Sequence, residues 1–437
     1  MKKGLVFLLL ALAIIVLVSP GIVGRLAEES MDENLDWAAT ESQDISITSL
    51  GFDRGWFSSE GQHRVELHDG ELRDAMLAIA NDSGAGDLPV LIIDTRLDHG
   101  LVPVASMSRD KGSLVPGLGS AISTLSLEFE SGETVDLPGT IYSNVGLTGE
   151  LQSNFVLEPG SYSHEGETAH WGDTDVLITT SPAANNIGFS GAVESLEFVS
   201  LNNDVSLGTI EFKGNQAQTK FGFSVGDAIV TMASLTLPSE YGTDSVGPFE
   251  FSAESEIEND QLSGRTKITL DDLPFDDFGR ANMTIDATIS GVDGAAVGNI
   301  SRTIDNGAYA NSEEMMLALE GDLKRLLAAG FELRFDQFDI ALQQGTVRTK
   351  IEVDVAATDV DEFNWIAALL ALDVTLELSV PGAVVDLATS IDSQFNAAAG
   401  MGFLRKNGAV YEMEAAFQKG LLTVNGAPMP IPIPGIQ

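Results

Sequence analysis

Cysteine is absent from all 437 residues. That absence removes disulfides, thiolate nucleophiles, iron–sulfur clusters and cysteine-based zinc sites in one step. It does not fix a compartment, because a chain long enough to bury a large core needs no disulfide staples even where conditions are oxidising. Basic residues are scarce as well: 23 Lys and Arg stand against 65 Asp and Glu, a net charge of −42. A surface of that sign repels the phosphates of DNA and RNA, which excludes nucleic acid as a partner. It also disfavours broad contact with anionic lipid headgroups. The acidity runs along the whole chain rather than sitting in one tail, a pattern that reads as adaptation to salt.

What is present is apolar and periodic. Hydrophobic residues make up 44% of the chain, which argues for packed cores over disorder, and the length suits two or three domains. Met1-Lys2-Lys3 opens the chain, and residues 4–24 carry no charge. At about 1.5 Å per residue that run reaches roughly 30 Å, the thickness of a bilayer core. The two lysines hold the start in the cytoplasm and send the rest outward. The alternative is a cleaved signal peptide, but Ser19-Pro20 puts proline where cleavage would fall. The expected organisation is an anchor (or signal peptide) over residues 1–24, an acidic linker over 25–44, and a β-rich region over 45–437. Within that region, the Gly- and Ser-containing loop 238–248 is the candidate divide between two lobes.

Period two dominates the body. Met283, Ile285, Ala287 and Ile289 alternate with Thr284, Asp286, Thr288 and Ser290, and Val374, Leu376, Leu378 and Val380 repeat the pattern. Such runs predict antiparallel strands with one packed and one wet face. Gln343-Gln344-Gly345, Lys419-Gly420 and Asp53-Arg54-Gly55 read as hairpin turns. Helices are expected over Ser312 to Ala329, stopped by Gly330, over Gly382 to Ala399, and near Glu71 to Ala80. The fold class is therefore α+β and predominantly antiparallel β, with a few packed helices after an N-terminal transmembrane helix.

No catalytic constellation emerges. Gly222-Phe223-Ser224-Val225-Gly226 fits the serine-hydrolase elbow, but that motif needs a helix after it and a histidine later in the chain. A strand follows here, and all five histidines precede Ser224. Ser108 to Lys111 matches a serine–lysine dyad without its companion motif. His164 and His170 lack the helical spacing of a zinc site, and His63 and His68 point to opposite faces of one strand. Asp271, Asp272, Asp276 and Asp277 match no calcium loop. No catalytic residue, metal ligand or cofactor is assigned.

Two motifs are more specific: Arg54-Gly55-Trp56-Phe57-Ser58-Ser59, a tight turn against adjacent aromatics, and Asp98-His99-Gly100 at the end of a long apolar strand. With the Lys-Lys apolar start and Leu421 to Gly426 after a hairpin, their order resembles the YdgA-like bacterial family of unknown function. Leu101-Val102 intervene before Pro103, where that family often has proline directly. The resemblance implies an inner-membrane anchor and a periplasmic bulk, and it marks Arg54, Gly55, Trp56, Phe57, His99 and Gly100 as positions of unassigned role. It implies no reaction or cofactor. The expected function is that of a non-enzymatic envelope factor. It would be tethered to the inner membrane through residues 4–24, with an envelope protein or a lipid as ligand on an extended β platform. The alternatives are an envelope serine hydrolase using Ser224 and a purely structural scaffold.

Overall fold

Alternating side chains and two-residue turns give this chain its form. In the computed structural model the described residues are 45–54, 58–68, 70, 73, 74, 77, 88–99, 117–129, 132–146, 148–164, 167–181, 185–199, 205–239, 242–306, 312–361, 363–391 and 402–429. The helix expected near Glu71 to Ala80 lies largely outside them, as do residues 1–44. Among the described residues no helix is long and apolar enough to cross a membrane. The chain divides into two compact units, residues 1–217 with 232–244, and residues 218–231 with 245–437.

Unit 1 is a meander of long strands. β1 (Ile45–Arg54), β2 (Ser58–Leu67), β3 (Val90–His99), β4 (Gly117–Glu128), β5 (Thr134–Gly146) and β6 (Leu151–Leu157) pair antiparallel in sequence order. The chain then leaves the sheet. β7 (Gly160–His164) and β8 (Glu167–Trp171) form a hairpin in a second sheet, and the chain returns as β9 (Thr174–Thr180), which pairs with β6. β10 (Asn186–Val193) extends the first sheet, and β11 (Leu196–Val199) and β12 (Val205–Leu207) extend the second. β13 (Ile210–Gln218) then returns to pair with β10. β14 (Ser224–Met232) follows in sequence but belongs to unit 2 up to Thr231, and β15 (Leu235–Ser239) and β16 (Gly242–Val246) belong to the second sheet.

Long hairpins thus bend from one sheet into the other without breaking their ladder. At one bend Gly172 N donates to Ser195 O and Glu194 N to Asp173 O, both at 2.9 Å. At the next, Gly208 N donates to Ser234 O at 2.8 Å. The strands approach so closely there that a Cβ on Gly208 would stand 2.7 Å from Ser234 Oγ. One face of the first sheet forms a dry core around Val65, Leu91, Ile93, Leu125, Leu127 and Phe155, with Leu127 wholly buried. Four of its hydroxyls pair across strands: Thr95 with Ser123 at 2.8 Å and Ser143 with Ser153 at 2.6 Å. This satisfies groups that would otherwise be costly to bury.

Unit 2 is a second meander, β17 (Phe249–Glu258), β18 (Gln261–Pro274), β19 (Arg280–Asp293), β20 (Phe331–Leu342), β21 (Gly345–Val355) and β22 (Leu372–Pro381). After it come β23 (Arg405–Asn407), β24 (Val410–Gln418), β25 (Leu421–Val424) and β26 (Ala427–Met429), with β24 pairing to β22. Three of its turns place both central residues in the left-handed region: Asn259-Asp260, Lys419-Gly420 and Asn425-Gly426. Their twist matches that of the flanking strands. Four helices join the strands: α1 (Gly294–Asn306), α2 (Ser312–Ala329), α3 (Trp365–Ala371) and α4 (Gly382–Ile391). Gly330, at φ +69°, stops α2, its N–H donating to Leu326 O at 2.9 Å. α4 is described only to Ile391; the rest of the helix expected to Ala399 lies outside the described residues. The helices meet the sheet at its strand ends, through Arg325 on Asp293, Thr358 N on Leu327 O and Gly382 N on Ala409 O.

Candidate functional site

The two sequence motifs converge at one end of the unit 1 sheet. Arg54 pairs with Ser59, Ser58 with Asp98 and His99 with Gly119. Gly55, Trp56, Phe57 and Gly100 themselves lie outside the described residues, and of Arg54 and His99 only the backbone is described. Beside this end, on the outer face of β1 to β4, lies an open cavity of about 540 Å³ lined by Asp53, Glu60, Gln62, Asp94, Arg96 and Thr124 among others. A register shift between Ser49 and Gly51 interrupts the β1 ladder beside it. Gln62 Nε2 donates to Asp94 Oδ1 at 2.8 Å. The lining mixes these polar side chains with Leu50 and Ile122, and it aligns no nucleophile with a base.

Unit 2 presents a larger feature. Antiparallel register carries apolar side chains across the whole sheet in rows. Phe251 faces Ile268, Ile268 faces Ile285, Ile285 faces Phe338, and the row continues through Thr349 and Leu378 to Met413. The next row runs Ala287, Phe335, Ile351, Leu376, Ala415, Val424. Each of these residues is half-buried. Neighbours about 5 Å apart on a pleated face shield one another, so an open apolar face is half-buried by itself, whereas a covered one becomes dry. Unit 1 shows the covered case, with Val65 at 1% and Leu91 at 2% exposure. On the unit 2 face only Ala281 and Val292, near the two ends of β19, are buried to that class. Eight strands at about 4.8 Å spacing make the platform roughly 34 Å wide.

The opposite face is charged. Glu254, Arg265, Thr288, Arg334 and Glu352 stand opposite one another in sequence across β17 to β21. Arg265 grips Asp286 with two bonds, 2.8 Å from Nε and 2.6 Å from Nη2, which holds the Asp286 carboxyl below the usual carboxylate range. Arg280 does the same to Asp272 with two bonds of 2.7 Å. Of the acidic cluster Asp271, Asp272, Asp276 and Asp277, Asp272 is thus tied to a guanidinium within the protein.

The remaining sequence candidates are placed plainly. Ser224 is exposed and opens strand β14, so its Gly-flanked motif is a turn into a strand and not a strand-to-helix elbow. Ser108 to Lys111 lie outside the described residues. His170 stands opposite Ser161, and His164 opposite Glu167, so the register does not pair the two histidines. Among the described residues no group of three or more His, Asp or Glu side chains could hold a metal ion. Asn425, in the C-terminal motif, is a fold element. Its Oδ1 accepts from Glu414 N at 3.0 Å, and its Nδ2 donates to Phe403 O at 2.9 Å and Gly402 O at 3.2 Å.

Comparison with known families matches residues 1–432 to the family described as bacterial protein of unknown function (DUF945). The chain belongs to that family. DUF945 membership spans both units, and the likeness to YdgA-like proteins drawn from the motifs is consistent with it. No curated protein and no solved structure gives a match. Sequence reasoning located some of the strands of the unit 2 platform but not its openness. The apolar alternation of β19 and β22 was visible; whether a layer covers it depends on burial, which no period reports.

Proposed function

We propose that this chain is a non-enzymatic factor of the bacterial envelope, tethered to the inner membrane by residues 4–24 with its bulk in the periplasm, and that its unit 2 platform holds acyl chains of lipid. The observation that carries this reading is the in-register apolar face of β17 to β25, left half-buried while unit 1 buries its own. Leaving such a face uncovered forgoes about 25 cal/mol for every Å² of apolar surface, so it belongs to a molecule with something to put there. A peptide laid on the face would bring backbone N–H and C=O groups that find no partners among aliphatic side chains. An acyl chain brings none. A leaflet's hydrocarbon is about 15 Å deep, so one chain fits within the roughly 34 Å platform. The acidic surface turns anionic headgroups away, which leaves localisation to the tether and contact to the platform.

The test uses the full-length protein in cells fed a photoactivatable fatty acid. After irradiation, label is expected on peptides from β18 to β22. Ile351→Asp, in the middle of a row, is expected to reduce it about tenfold or more, because a carboxylate against an acyl chain loses its hydration. Label confined to residues 1–44, or platform label indifferent to Ile351→Asp, would sink the reading. A serine-reactive probe that marks the wild type and spares Ser224→Ala would replace it with a hydrolase.

A further inference from the structure

Helix α3 is only seven residues long and is fixed from one side. Asn364 caps it, Oδ1 accepting from Ala367 N at 2.7 Å. Ala371 is its buried residue, and it packs on β21 and β22. Its other side is bare: Trp365 is 62% exposed, Ile366 64% and Leu370 56%. Phe363 stands edge-on to Trp365 with ring centroids 5.1 Å apart, which holds the indole in place. Single exposed apolar residues are ordinary. Three large ones on two turns of helix, with a tryptophan among them, form the kind of contiguous patch that marks an interface, and tryptophan is enriched among the residues that dominate binding energy.

The charge beside the patch selects the occupant. Asp359 and Asp361 are exposed just ahead of the helix, and Glu362 follows them in sequence. Lys324 approaches this loop, but its ammonium donates to the backbone oxygen of Asp361 at 2.6 Å. An anionic membrane surface is repelled here, and a second copy of this chain would bring another −42 charges. A segment with both apolar and cationic side chains satisfies both halves of the surface. We propose that α3 is the docking surface for a basic amphipathic helix of a partner protein, whose apolar residues cover Trp365, Ile366 and Leu370 and whose Lys or Arg side chains meet Asp359 and Asp361. This goes beyond the acyl-chain platform and does not depend on it.

The full-length chain in phosphatidylcholine nanodiscs, a zwitterionic surface, is titrated with a fluorescent Leu/Lys amphipathic peptide of about 14 residues, and in parallel with its Leu/Glu counterpart. The Leu/Lys peptide is expected to bind and the Leu/Glu peptide not to. Affinity is expected to fall about tenfold or more in Trp365→Ser/Ile366→Ser. It is expected to fall severalfold in Asp359→Asn/Asp361→Asn, with a flatter salt dependence. Equal affinity of the wild type and the serine variant would assign binding to bulk acidity and overturn the proposal, as would binding of the Leu/Glu peptide. Quenching of Trp365 by brominated lipid without peptide would make α3 a lipid contact and overturn it too. If the serine variant fails to fold, the two aspartate substitutions decide, and unchanged affinity there refutes the proposal.

Discussion

Asp286 is the residue at which this acidic chain departs from its own habit. Its carboxylate is 8% exposed at the centre of the charged face, while most of the other acids stay in water. It is tolerable there because Arg265 bonds both its oxygens and Lys267 lies directly opposite on β18. The bonds from Arg265 lower the Asp286 pKa, with Lys267 adding to the effect. A carboxyl whose folded pKa is depressed contributes stability above its unfolded value of about 3.9 and loses it as pH falls through the lower folded value. Asp286→Asn keeps the shape and removes the charge. The variant is therefore expected to be less stable than the wild type at pH 7, with the gap closing in acid as the wild type becomes protonated. Urea midpoints at pH 7, 4 and 2.5 check this; a gap of constant size would mean that Asp286 acts by shape alone. Asn425 makes the complementary point. Its place in a motif was visible in the sequence, but its role was not, because the groups it joins, Glu414, Phe403 and Gly402, are 11 to 23 positions away.

Elements were legible where their period was long enough to register. The strands β19 and β22 follow from alternation, and α2 follows from its leucine stripe and the glycine behind it. α1 and α3 escaped for different reasons. α3 covers two turns, too few for a helical period to show. α1 begins Gly-Ala-Ala-Val-Gly, a poor helix by propensity, and depends on distant partners. Asp293 caps it through Ala296 N at 2.7 Å, and the turn at Phe221 packs against it so closely that a Cβ on Gly298 would stand 2.2 Å from Phe221 O. The bends between the sheets of unit 1 were hidden because alternation runs straight through them. The packing of α1 gives an expectation opposite in sign to propensity. In a free helix Gly→Ala stabilises by about 1 kcal/mol. Here Gly298→Ala drives a methyl into a backbone oxygen that cannot swing away, and it is expected to destabilise by about 1–3 kcal/mol. Chemical denaturation of Gly298→Ala beside Gly321→Ala on α2, where a Cβ would meet nothing within 4 Å, separates the two cases. Equal effects at both sites would mean that the contact with Phe221 does not constrain the helix.

At the scale of the molecule, composition spoke more clearly than pattern. The chain passes between its two compact units at 217/218, 231/232 and 244/245, an interleaving that no local signal announces. The charge, by contrast, was fully visible. With 65 acids and 23 bases, exposed carboxylates outnumber their partners, and many ion pairs within the described residues are surface pairs of little worth. Folding gathers these charges against their own repulsion. Added salt shortens the Debye length from about 10 Å at 0.1 M to about 3 Å at 1 M and relieves that repulsion more in the compact state than in the expanded one. The thermal midpoint is expected to rise with salt, by about 2–4 °C for each kcal/mol relieved in a domain of 150–250 residues. Screening also predicts the shape of the curve. Most of the gain should come while the Debye length still exceeds the spacing of neighbouring carboxylates, with a plateau toward 1 M. Salting-out of apolar surface grows steadily instead, and a neutral osmolyte such as sucrose would reproduce it. A melting series in potassium chloride, repeated with sucrose, distinguishes them. A flat or falling midpoint between low and molar salt would show that the acidity is not held against self-repulsion, and its reading as adaptation to salt would fail.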